Sequence, residues 1–144
     1  MWEFDQFTKG SSPNGHSVTQ RFEFWKAGLE IAKSNLITGV GTGDMPAAYH
    51  KQYKDSKSLL DEKHQLRAHN QYLAILVAFG IFGLVYFLFA LFYPLISNIK
   101  SIDFLFAVFF LIFFFSMFSE DTLETQAGST FAAFFYSLIL FGRR

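Results

Sequence analysis

The side chains able to do chemistry are few, and they gather in the first half of the chain. Cysteine is absent and histidine occurs only at positions 16, 50, 64 and 69. That removes thiol nucleophiles, thiolate zinc sites and disulfide scaffolds. The histidines have no metal-ligand spacing: His64 and His69 are five apart, which a helix puts on different faces, and no His-Glu-x-x-His occurs. No metal and no cofactor is expected. His69 stands apart because it lies beside Asn70 at the mouth of a long apolar run. An imidazole at a water boundary is the side chain that accepts a proton near neutral pH. The plain alternative is an interfacial histidine that caps or snorkels. Arg21 has the same two readings, a solvated helix face or a guanidinium that grips a diphosphate through two parallel hydrogen bonds.

The elements that must position these residues follow from spacing. Residues 10–17, GSSPNGHS, combine Pro, Asn and Gly and read as loop. From Thr19 to Asn35 the pattern turns helical, with Phe22, Trp25, Leu29 and Ala32 recurring at three and four residues. Ser17 or Thr19 is placed to cap its start. Arg21, Trp25 and Gly28 fall on neighbouring positions of one face of that helix. The stretch NLITGVGTGD then breaks it, with Gly39, Gly41 and Gly43 letting backbone approach something closely. GVGTG lacks the Lys-Ser/Thr of a P-loop and the third glycine of a dinucleotide fingerprint, so it reads as a tight turn between two helices. Asp44 followed by Met45 and Pro46 marks a new helix start, continuing through residues 47–60. Residues 61–67 form a charged approach to the apolar run.

Composition supplies the solvent. The 144 residues are 51% hydrophobic with 21 phenylalanines, too many for a soluble core of that size. Twelve basic and twelve acidic side chains give zero net charge and no electrostatic footprint for nucleic acid. Disorder is excluded by the same apolar content. Residues 1–71 hold 17 of the 24 charges and four of the phenylalanines, whereas residues 72–144 hold seven charges and 17 phenylalanines. Residues 72–96 are 25 uncharged residues, enough to cross a hydrocarbon core roughly 30 Å thick with some tilt. Runs of 16 uncharged residues (104–119) and 18 (125–142) sit at the lower end of spanning length. The expected class is therefore an all-α polytopic membrane protein: an amphipathic helical extracytoplasmic loop over residues 1–71, then three transmembrane helices at about 72–96, 104–119 and 126–142.

Orientation follows from the short loops. Lys100 lies in one and Arg143 and Arg144 in the tail, while SEDTLETQ (119–126) carries three acids and no base. By the positive-inside rule Lys100 and the tail face the cytoplasm, and residues 1–71 share the outer side with SEDTLETQ. The start, MWEFDQFTKGSSPNG, is acidic and aromatic and has no signal-peptide character. The expectation is a C-terminal fragment preceded by further membrane helices, inactive by itself.

The order of the pieces makes the chain recognisable. Arg21-x3-Trp25, then SNLITGVGTGD with a tyrosine at 49, then AHNQYLAILVAFGIFGL resembles the C-terminal half of the O-antigen ligase and polymerase superfamily. That family shows an Arg-x3-Trp helix, a glycine-rich turn and a His-Asn-x-Tyr/Phe-Leu motif running into Gly-hydrophobic-x-Gly-Leu, in this order. The match runs from about Arg21 to Leu84. One departure stands out: where the family often has Glu two residues before the glycine after the His-Asn motif, this chain has Ala78.

What the resemblance implies is an inner-membrane glycosyltransferase with a periplasmic loop over a cavity. Its donor would be a glycan on undecaprenyl diphosphate and its acceptor a sugar hydroxyl on lipid A-core, without a metal. Carried over by motif, His69 would be the base on the acceptor hydroxyl and Arg21 would hold the diphosphate. Asn70 would support His69 or cap the helix, and Trp25 with Gly39, Gly41 and Gly43 would shape the loop. Arg67 is a local addition to diphosphate binding, on proximity. O-antigen polymerases and transferases that move glycans onto proteins share the signature. From another class, a non-enzymatic membrane subunit that recruits a partner through its polar segment fits the same composition.

Overall fold

The computed structural model describes residues 17–97 and 104–141. His16, Lys100, Asp103, Arg143 and Arg144 lie outside the described residues, as does most of the loop expected at residues 10–17. The described chain is helices and turns with no strand. In order these are α1 (Ser17–Ser34), α2 (Met45–Asp55), a 3-10 turn (Glu62–His64), α3 (Gln71–Ser97), α4 (Phe104–Ser119), a second 3-10 turn (Thr122–Glu124) and α5 (Gln126–Phe141).

Helices α1 and α2 form a hairpin that leans on the first half of α3. Helix α1 buries Phe24, Ala27, Gly28 and Ile31, spaced at three, one and three residues. Of the four residues whose spacing marks the helix, Ala32 is buried and Trp25 packs against the core, whereas Phe22 and Leu29 stand 47% and 48% exposed. Two overlapping sets of helical spacing were available, and the set with small residues faces inward. Ala27, Gly28 and Ala32 admit neighbours that larger side chains would hold off: a Cβ on Gly28 would run into the Tyr49 hydroxyl and the Leu73 side chain. Helix α2 starts after Asp44 with Pro46 in its first turn, where a missing N–H breaks no helix bond. It ends at Asp55, short of the expected residue 60. Lys57 takes a left-handed φ of 49°, and the Ser58 N–H bonds back to the Tyr53 carbonyl at 3.0 Å. That wrap closes the helix end.

Helix α3 contains the long apolar run, and residues Gln71–Tyr93 have the length and hydropathy to cross a membrane. It is broken at Gly80, which has φ 67° and ψ −165°. A break inside an apolar helix frees backbone groups that need partners. The glycine loop after α1 supplies them. Val40 N–H donates to the Val77 carbonyl (2.9 Å), Gly41 N–H to the Ala78 carbonyl (2.8 Å), and Ile81 N–H to the Leu36 carbonyl (2.7 Å). The two strands of backbone come so close that a Cβ on Gly39 would strike the Ala78 carbonyl, and one on Gly80 the Ile37 carbonyl. Gly39 and Gly80 both have positive φ, so each is required by conformation and by space. Gly41 has positive φ but open room, and Gly43 has open room and no positive φ.

The break separates two cores. In the first, α1, α2 and residues Leu73, Ala74, Val77 and Ala78 of α3 bury one another. In the second, Leu91 packs with Phe106, Phe110, Phe113 and Met117 of α4 and Ala132 of α5, and because α3 turns back on itself at Gly80 the Tyr72 ring joins this core and meets Phe87 at 6.1 Å. The rings of Phe92 and Phe110 meet edge-on at 5.3 Å, and Phe109 stacks on Phe113 at 6.0 Å. Helix α4 is apolar throughout but has 16 residues.

Candidate active site

Helix α3 opens with three consecutive polar residues, His69, Asn70 and Gln71, and each engages the turn between α4 and α5. Asn70 is the helix cap: its Oδ1 accepts the Leu73 N–H at 3.0 Å. Its Nδ2 donates to the Phe118 carbonyl at 3.0 Å, tying the start of α3 to the end of α4. Gln71, buried, accepts the Leu123 N–H at 2.7 Å. The His69 Nδ1 stands 3.9 Å from Asp121 Oδ2 and 4.0 Å from Glu120 Oε2. His69 has a left-handed backbone, φ 46°, which costs a residue with a side chain about 1–2 kcal/mol. The chain accepts that strain as it passes from the charged approach into the membrane helix, and the imidazole ends over the acidic turn, with the Phe24 ring at 6.1 Å.

The two arginines reach the same turn from different elements. Arg21, on α1, donates from Nη1 to the Ser119 carbonyl at 3.2 Å and pairs through Nη2 with Glu120 at 3.4 Å. Arg67, two residues before His69, pairs with Glu124. The side chains of Arg21 and Arg67 remain 41% and 44% exposed. Pairs with that much solvent are worth at most about 1 kcal/mol, so either guanidinium is easily exchanged onto another anion.

Asp121 is the buried member of the group. Burial raises its carboxyl above the ordinary range, with the Glu124 charge adding to the effect, while Arg67, His69 and the Asn70 backbone N–H pull it partly back. Its Oδ1 is buried without a hydrogen-bond partner. The turn between α4 and α5 thus contributes Glu120, Asp121 and Glu124, none of which had been singled out as site residues. The sequence signal for them is the acidic, base-free segment 119–126, which the positive-inside rule puts on the same side as residues 1–71.

Trp25 and the loop glycines stand further back. Trp25 Nε1 donates to the Ala68 carbonyl at 2.9 Å and so holds the residue preceding His69 against α1. Tyr53 does the same one turn away, its hydroxyl donating to the Leu66 carbonyl at 2.7 Å. Burial pushes the Tyr49 and Tyr53 hydroxyls well above the usual phenol range, so both stay protonated; Tyr53 is thereby kept as a donor, whereas the Tyr49 hydroxyl is buried without a hydrogen-bond partner. Gly39, Gly41 and Gly43 lie in the loop at the other end of the hairpin, and of the three only Gly41 bonds to α3 near its break. Ala78, where the family pattern often has Glu, is buried under that loop with its carbonyl taken by Gly41. Among the described residues no group of three His, Asp or Glu side chains is arranged to hold a metal ion.

The family model for O-antigen ligase matches residues 4–88. The chain belongs to the O-antigen ligase family. Comparison with curated proteins and with solved structures returns no match. The O-antigen ligase match takes in Arg21, Trp25, the glycine loop, Arg67, His69 and Asn70, and it ends within α3. The acidic turn that meets these residues lies beyond it. Membership makes the protein part of a family of membrane enzymes of the O-antigen ligase and polymerase type, and α3 supplies the apolar helix such an enzyme needs.

Proposed function

We propose that the protein is an O-antigen ligase that moves a glycan from undecaprenyl diphosphate to a sugar hydroxyl of lipid A-core, with His69 as base and Arg21 and Arg67 as diphosphate ligands. The observation that carries this reading is the meeting of one imidazole and two exchangeable guanidinium groups at the end of a membrane helix. The acceptor oxygen attacks the anomeric carbon as its proton passes to the His69 imidazole. The bond from the anomeric carbon to the diphosphate oxygen breaks, and the arginines offset the charge that develops there. Asp121 lies within ion-pair range of His69 Nδ1 and stabilises the imidazolium. Glu120 and Glu124 hold the guanidinium groups until the diphosphate replaces them. Asn70 caps α3 and keeps His69 in register, while Trp25 and the glycines at 39, 41 and 43 shape the hairpin. In this reading residues 1–71 and the acidic turn are periplasmic, residues 72–144 form three helices in the inner membrane, and the C-terminus is cytoplasmic. The partners are the lipid-linked glycan, the lipid A-core acceptor and membrane lipid.

The test is a lipopolysaccharide gel from cells that depend on this gene and carry His69→Asn, with a blot for the inserted protein. Asparagine tolerates the left-handed backbone that alanine would strain, so the variant removes the base and keeps the fold. Loss of all long chains, with polymer left on the lipid carrier, is the expected result. Cores carrying a single repeat would mean polymerase instead, and a normal ladder with transfer onto a protein lost would mean protein glycosylation. If no glycan product changes while the protein is present, the catalytic assignment fails and the partner-recruiting reading takes its place.

A further inference from the structure

We infer that Tyr49 is a positioning residue of the catalytic centre: its hydroxyl and the free oxygen of Asp121 form one buried hydrogen-bonded couple behind His69, closed by a single internal water. The inference rests on the reading of His69 as the base. Tyr49 is 3% exposed and Asp121 8%, and each ends in a polar atom, the phenol hydroxyl and Oδ1, that is buried without a hydrogen-bond partner. A polar group in that state has lost its hydration with nothing in return. The two are complementary, because a protonated phenol donates and a carboxylate oxygen only accepts.

Their places around His69 match. A Cβ on Gly28 would stand 2.5 Å from the Tyr49 hydroxyl and 2.9 Å from the Leu73 side chain, so the hydroxyl lies between α1 and the first turn of α3. Beyond burial, and the Ala68 N–H that it faces without bonding, the strongest influence on that hydroxyl is the Asp121 charge, ahead of Arg67 and Glu124. Asp121 in turn faces the Asn70 N–H, and its Oδ2 stands 3.9 Å from His69 Nδ1. Tyr49 and Asp121 therefore bracket the histidine, one at the N–H of the residue before it and one at the N–H of the residue after it. His69 has a left-handed φ of 46°, a conformation that persists only where the surroundings over-determine it. Trp25 fixes the Ala68 carbonyl on one side and the Asn70 amide fixes the other. A water bonded to the Tyr49 hydroxyl, the Ala68 N–H and Asp121 Oδ1 has the usual complement of about three partners. It satisfies both orphaned atoms and holds the far side of the carboxylate, which keeps Oδ2 aimed at the imidazole.

Tyr49→Phe removes the donor and keeps the ring. The melting temperature of the complete protein in detergent is followed against pH for the parent, Tyr49→Phe, Asp121→Asn and the double variant. The charged groups around residue 121 are Glu120 and Glu124 on its own turn and Arg67 and His69 from the approach to α3, and all four proteins share them. Loss of a donor to the carboxylate raises its pKa. The pH interval over which Asp121→Asn gains on its background should therefore extend further upward in the Tyr49→Phe background than in the parent. An interval that ends at the same pH in both backgrounds overturns the inference. So does a Tyr49→Phe protein more stable than the parent at neutral pH, the result of removing a solitary buried hydroxyl. The second readout is the rate at which pulse-labelled polymer leaves the lipid carrier in cells that depend on this gene. Tyr49→Phe should slow it about tenfold at an unchanged amount of inserted protein. An unchanged rate overturns the positioning role. The melting curves do not depend on catalysis, so they test the couple separately from the test of His69 as base.

Discussion

The two halves of α3 are packed by different rules. Against α1 and α2 the neighbours of the first half are small or make directional bonds: Gly28 and Gly39 allow close approach, and Trp25, Tyr53 and Asn70 each end on a named carbonyl. Around the second half the contacts are ring on ring, Tyr72 reaching in from the first, with the bonds of Tyr136 to Leu91 and Tyr72 to Phe114 among the few directional ones between helices. Large apolar side chains such as Tyr86, Phe104 and Phe115 face outward there. The first region specifies one geometry, as the proposed reaction requires of groups that meet a diphosphate and a hydroxyl. The second region specifies a solvent, and many arrangements of phenylalanine satisfy a bilayer equally well.

Substitutions separate the two regimes. Gly80→Val adds a side chain to a left-handed backbone against the Ile37 carbonyl, and is expected to cost more than about 4 kcal/mol and to empty the membrane fraction of folded protein. Phe110→Leu, in the second core, should cost about 1 kcal/mol by thermal unfolding in detergent. Equal losses would erase the distinction. Next in size is Asn70→Ala, which removes a helix cap and the tie to Phe118, a loss of about 2 kcal/mol. Tyr53→Phe should cost about 1 kcal/mol, because the non-helical Leu66 carbonyl loses its donor. Tyr136→Phe should cost less, since Leu91 lies within a helix whose carbonyls already accept a backbone N–H.

The smallest expected effect is a pH dependence. The folded-state pKa of Asp121 lies above its ordinary value of 3.8, chiefly through burial. The stability that its neutral form contributes is therefore present at low pH and is lost as pH rises from 3.8 through the folded-state value. Asp121→Asn removes that dependence, so the melting temperature of the variant relative to the parent should climb over that interval and level off above it. A difference that stays flat, or falls as pH rises, would mean that Asp121 is better paired than its surroundings indicate.

Much of the architecture was legible in the residues. The helical class and the long span follow from periodicity and from the uncharged run after Gln71, and α2 begins where Asp44, Met45 and Pro46 announce it. The break at Gly80 was not, because a glycine in an apolar run looks the same whether the helix continues or not. What decides it is the loop some forty residues earlier that pairs with the opened backbone. Which face of α1 is buried is not legible for a related reason: two sets of residues have helical spacing, and the partners α2 and α3 choose between them. The candidate site was half visible. His69, Arg21 and Arg67 were found by residue type and motif, while Glu120, Asp121 and Glu124 come from a distant turn that only the antiparallel packing of α3 and α4 brings near.

That assembly is the claim to test most directly. In the cysteine-free chain, Arg67→Cys paired with Glu124→Cys should be joined by a short bis-maleimide in native membranes, and digestion with mass spectrometry should recover the peptide around residue 67 linked to the one around residue 124. Arg21→Cys with Glu120→Cys should behave alike. If each cysteine reacts singly with a maleimide yet neither pair is ever linked, the arginines and the acidic turn do not share a site, and the account of the active centre is wrong.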